Sequence, residues 1–99
     1  VQAERVSAAA NASRDRLDLG IFRLASTLSM RRDLTAEERV VVRRLLVDRE
    51  FRLQVGEALK ARYGNVGDGT LLQILQFIIQ NRTDIKEFIK MLIEIAALF

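Results

Sequence analysis

Apolar residues along the first third of the chain recur at threes, fours and sevens: Ala3, Val6, Ala10, Leu17, Ile21, Leu24 and Leu28, with Ser13 filling the gap. This is the stripe of one α-helix face and predicts a single long first helix. Its first half offers only alanines and a valine, too little apolar surface to hold it firmly to a core. Residues 1–13 therefore read as an Ala-rich helical arm, held by a neighbouring subunit or partner through Ala3, Val6 and Ala10. Gly20 inside the pattern costs a helix about 1 kcal/mol relative to alanine, which is explained where a second helix comes close.

A polar break, Arg31-Arg32-Asp33-Leu34, is followed by Thr35 and Glu38 at capping-box spacing, the most specific local signal in the chain. From there the apolar face is Val41, Val42, Leu45 and Leu46, and later Phe51, Val55, Ala58 and Leu59. The two sets differ by about a third of a turn at 100° per residue, so one straight helix cannot bury both. A kink or split is expected near Val47 to Arg49, with Asp48 capping the new helix. A strand is the second reading for residues 40–47, although Arg43 and Arg44 spoil the alternation.

Tyr63 and Gly64 form a natural helix stop. The Gly-rich loop at residues 64–69 resembles a phosphate cradle only superficially, since no lysine–serine or lysine–threonine pair follows it. Asp68 or Thr70 is expected to cap the next helix. Residues 71–99 hold 18 apolar residues in 29, leaving only a narrow polar stripe. They read as a very apolar C-terminal helix or, on the interruption at Asn81, Arg82 and Thr83, a helical hairpin. Ile85, Phe88, Ile89, Leu92 and Phe99 present more apolar surface than a chain this small is expected to cover, which implies a partner chain.

Composition sharpens this picture. Zero proline and five glycines in 99 residues favour long helices. The expected fold is all-α with no β-sheet: a single domain over residues 14–99 of four to five helices, preceded by the arm. Without cysteine or histidine the chain has no disulfide, no thiolate metal site and no histidine-based nucleophile pair. Carboxylates such as Asp15 with Asp18, Glu37 with Glu38 and Glu87 with Glu94 lie among basic residues. Arg14 and Asp18, Arg44 and Asp48, Asp48 and Arg52, and Lys90 and Glu94 are each four apart, the spacing of solvated ion pairs on a helix. No catalytic, cofactor or metal site and no small-molecule substrate is read from the sequence.

The net charge is +3, distributed as +4 over residues 1–62 and −1 over residues 63–99. Arg31, Arg32, Arg39, Arg43 and Arg44 are the densest basic group. No stretch is long and apolar enough for a membrane span. The leading expectation is a non-enzymatic structural or assembly protein acting through helix–helix contacts in a homo-oligomer or larger complex, in the cytoplasm or as a virion or phage-like component. The alternative is a small nucleic-acid-binding protein that contacts phosphates through the five arginines.

Overall fold

The stripe on the first segment, the capping box and the glycine stop each fix one boundary of a helical chain. The computed structural model describes the backbone of residues 2–81 and 85–99 and the side chains of residues 14–81 and 85–99. It is all-helical, with α1 (Gln2–Ser29), α2 (Ala36–Val47), α3 (Arg49–Arg62), α4 (Asp68–Gln80) and α5 (Ile85–Ala96). Among the described residues there is no strand, and the β-branched run at residues 40–47 lies in α2.

Leu17, Ile21, Leu24 and Leu28 form one seam along α1, each at most 1% exposed. Against it pack α2, α3 and α4, while α5 packs on α2, α3 and α4, its backbone standing off from that of α1. Two glycines permit the close approaches. A Cβ on Gly20 would collide with Leu72 Cδ2 of α4, so the expected neighbouring helix is there. A Cβ on Gly56 would lie 2.9–3.0 Å from three side-chain atoms of Leu17, on the seam itself.

The middle segment is split by a single residue. Asp48 ends α2 with its backbone N–H on Arg44 O, and starts α3 by accepting the Phe51 N–H on its carboxylate at 3.1 Å. Arg52 then folds back on this break: its Nη1 donates to the carbonyls of Leu45 and Leu46 at 3.0 and 3.1 Å, and its Nε donates to Asp18 of α1. The last carbonyls of α2, which have no partner within the helix, are satisfied in this way. The same guanidinium ties three helices together.

Helix α3 stops at Tyr63, with Gly64 at φ +90° and Asn65 at φ +60° carrying the reversal. Burial pushes the Tyr63 phenol above its ordinary value. The next helix departs from expectation, because Gly67 holds the cap position without a side-chain bond and Thr70 lies inside the helix. Asp68, in the first turn, instead accepts from Lys60 Nζ at 2.7 Å, which joins the end of α3 to the start of α4. That hydrogen bond, opposed by burial and helped by Glu57, raises the Lys60 ammonium above its usual range.

The C-terminal segment is two helices, with α4 ending at Asn81. Arg82 and Thr83, expected at the break, lie outside the described residues, as do the side chains of Ala3, Val6 and Ala10. Helix α5 does not bear out the expectation of a very apolar C-terminal helix. Ile85, Phe88, Ile89, Leu92 and Ile95 are buried, whereas Glu87, Lys90 and Glu94 face water. With packing on one side only, the helix is two-faced.

The first turn of α5 is pinned by a charge. Lys86 Nζ donates to Glu38 Oε1 at 2.6 Å and to Asp33 O at 2.8 Å. Glu38 Oε1 also accepts the Thr35 N–H at 2.8 Å, while Thr35 Oγ1 accepts the Glu38 N–H at 3.2 Å, so the capping box is complete. Glu38 is only 4% exposed. Burial alone would raise its carboxyl, but the hydrogen bonds from Lys86 and Thr35 outweigh burial and hold it below the ordinary 4.5.

Two predictions follow from the packing and the pin. Gly56→Ala drives a methyl against Leu17, which is 1% exposed, and this overpacking of about 1–3 kcal/mol should exceed the roughly 1 kcal/mol of helix propensity that alanine returns, a net loss read by urea denaturation. Gly20→Ala should be near neutral, since the half-buried Leu72 can swing outward and alanine gains about 1 kcal/mol of helix propensity. The reverse order would refute this account of the two contacts. For the pin, the depressed Glu38 carboxyl contributes stability that is complete above its ordinary value and lost as pH falls through its lower folded value. Glu38→Gln should therefore flatten the loss of stability below about pH 4.5. Lys86→Met should cost about 1–3 kcal/mol at neutral pH, toward the lower end because 38% of the Lys86 side chain is exposed. An unchanged acid limb in Glu38→Gln would remove Glu38 from the acid response.

Candidate interaction surfaces

At the corner between α1 and α2 the helix ends by tightening, with Met30 N–H on Thr27 O and Arg31 N–H on Leu28 O. The chain then runs to the Thr35 cap, and this stretch together with the exposed side of α2 encloses a groove of about 400 Å³. Its bottom is apolar: Leu34 is 9% exposed, Val42 is 2% exposed, and Leu46 is half-buried. Arg31, Arg32, Arg39 and Arg43 line it, and Met30 stands at its edge, 82% exposed. Four of the five arginines singled out in the sequence are thus brought together.

Their electrostatic states differ. Arg31 grips Asp33 through two parallel hydrogen bonds, Nε to Oδ1 at 2.9 Å and Nη2 to Oδ2 at 2.7 Å. That contact holds the Asp33 carboxyl below its usual range and raises Arg31. Arg32, Arg39 and Arg43 are exposed, and none has an ion-pair partner among the described residues. Arg44 is the correction to the predicted set. One helical step past Arg43, it turns toward α3, with its guanidinium carbon 4.0 Å from the centre of the Phe51 ring and its Nε 4.0 Å from Asp48.

A second surface lies between α1 and α4, where Leu72 passes over Gly20. Leu19, Leu72, Leu75 and Ile79 line a cleft of about 390 Å³, with Arg16, Arg23 and Gln76 also on its walls. Leu19 is 49% exposed. The sequence reading missed this surface, although a signal was present: Leu19 and Phe22 are large apolar residues off the α1 stripe. Phe22 is accounted for by Arg52, whose guanidinium carbon lies 5.3 Å from its ring centre.

The predicted C-terminal interface is corrected by burial. Ile85, Phe88, Ile89 and Leu92 are at most 4% exposed and face α2, α3 and α4 of their own chain, so they offer no surface to a partner. Phe99 remains 49% exposed, near Arg44 and Phe51. Ala3, Val6 and Ala10 are not among the described side chains.

Several carboxylates pair with arginines across helices. Asp15 takes Arg49 at 2.7 Å, Asp18 takes Arg52, and Glu94 lies 3.6 Å from Arg62. Among the described residues no group of three or more histidine, cysteine, aspartate or glutamate residues could hold a metal ion. No helix there is long and apolar enough to cross a membrane. In comparisons with protein-family models, curated proteins and solved structures, nothing matches the chain.

Proposed function

We propose that the chain is a non-enzymatic helical assembly protein that acts through helix–helix protein contacts, in a homo-oligomer or a larger complex. The α1–α4 cleft carries this reading. Isolated exposed apolar side chains are ordinary on a protein surface, but contiguous ones beside a groove mark interaction sites. Leu19, Leu72 and Ile79 are contiguous in that sense, with buried Leu75 beneath them. The apolar face of α5 is consumed by its own core, whereas the side of α1 beside α4 is left open.

Sedimentation velocity at tens of micromolar tests the homo-oligomeric form. The wild-type chain should sediment as an oligomer. Leu19→Asp, at an exposed position, should keep its helical circular dichroism and shift to monomer, since a charge in a buried contact without a partner costs several kcal/mol. A well-folded wild-type monomer at that concentration would overturn it.

The second reading is nucleic-acid binding at the α1–α2 corner, favoured by the convergence of Arg31, Arg32, Arg39 and Arg43. Phosphate contacts by the three arginines lacking acidic partners would give little sequence preference and a log–log salt slope of about −3 on duplex DNA. Titration of labelled duplex and single strands at two salt concentrations measures that slope. Absence of binding at low salt would eliminate this reading.

A further inference from the structure

We infer that the groove at the α1–α2 corner receives an acidic amphipathic helix from a partner protein. The inference rests on the protein-interaction reading above but on a different surface. Three features of the groove select this chemistry together. Its accessible hydrocarbon is Met30, 82% exposed at the edge, and half-buried Leu46, with buried Leu34 and Val42 beneath them. Its volume of about 400 Å³ is at the small end of ligand clefts and admits one or two large apolar side chains. Around that hydrocarbon stand Arg32, Arg39 and Arg43, with no acidic partner among the described residues.

The spacing adds a direction. Arg39 and Arg43 are one turn apart on α2, about 6 Å at 1.5 Å per residue. Carboxylates four residues apart on a partner helix have the same separation. Each guanidinium presents a planar fork that a carboxylate can meet with two hydrogen bonds. A partner helix with apolar anchors at its centre and glutamate or aspartate alongside would cover the hydrocarbon and neutralise the arginines in one docking event, as helix-in-groove complexes do.

Nucleic acid satisfies only half of this surface. A phosphate backbone would neutralise Arg32, Arg39 and Arg43 but leave Met30 and Leu46 against water or sugar. No aromatic side chain lines the groove to stack a base. The accessible hydrocarbon of Met30 and Leu46 therefore decides in favour of protein.

Fluorescence anisotropy with a labelled, helix-forming peptide carrying two leucines one turn apart between glutamates tests the inference on the full chain. Binding at physiological salt should weaken at least tenfold when the peptide leucines become alanine, and at least tenfold in the double variant Arg39→Glu, Arg43→Glu. Both positions are exposed, so circular dichroism should show the fold unchanged. The charge-reversed chain should in turn bind a lysine version of the peptide, a recovery that loss of structure could not produce. Sedimentation of that variant should match wild type, because self-association is assigned to the α1–α4 cleft. No peptide binding at low salt would overturn the inference, as would equal affinity for the alanine peptide. Displacement of the peptide by single-stranded or duplex DNA at physiological salt would assign the groove to nucleic acid instead.

Discussion

The seam of Leu17, Ile21, Leu24 and Leu28 is narrow, four side chains on one edge of a long helix, yet α2, α3 and α4 all pack against α1. Three helices can share so small a surface only if at least one comes in closer than ordinary side chains allow. Gly56 provides this on the α3 side, where Leu17 fills the space a Cβ would occupy, and Gly20 does so for Leu72 on the α4 side. Protein interiors pack at crystalline density, so Gly56 against buried Leu17 fixes how closely α3 approaches, whereas half-buried Leu72 over Gly20 is able to shift. The α1–α4 cleft lies directly beside one of these approaches.

The backbone of helix α5 stands off from that of α1, and the helix is positioned otherwise. Its apolar face buries well but would tolerate rotation or sliding, because dispersion and hydrophobic burial are nearly non-directional. The Lys86 bond to Glu38 and to the Asp33 carbonyl supplies direction, fixing the start of α5 on the α2 cap. A buried ion pair is weak evidence for net stability, and fixing a register is among its best-attested uses. Glu38 fits that use, since the same oxygen also closes the capping box.

Features encoded over a few residues were legible in the sequence. The α1 stripe, the Thr35 and Glu38 box, the Asp48 split and the Gly64 stop each depend on backbone chemistry within about one turn. Pairings across the chain were not. Asp18 with Arg52 and Glu38 with Lys86 span 34 and 48 positions, and nothing in one sequence distinguishes them from pairs four residues apart on one helix. The apolar richness of residues 71–99 misled for a related reason. Surplus surface can be judged only once the receiving surface is known, and three helices of the same chain receive Ile85, Phe88, Ile89 and Leu92. Arg44 was grouped with its neighbours by sequence adjacency, whereas one 100° helical step separates it from Arg43 and carries it to Phe51.

The same pairings account for the charge of the α1–α2 corner. Asp33 and Glu38 are close in sequence to Arg32 and Arg39, and on a solvated helix surface they would offset much of that positive charge. Asp33 is instead held by Arg31, and Glu38 is turned inward to Thr35 and Lys86. Lys86 itself comes from α5, so folding of the C-terminal helix removes an acid from the corner and leaves Arg32, Arg39 and Arg43 exposed. The local positive field is thus a product of tertiary structure more than of composition. A chain whose net charge is only +3 can present three exposed arginines around the groove at this corner because Asp33 is held by Arg31 and Glu38 by Thr35 and Lys86.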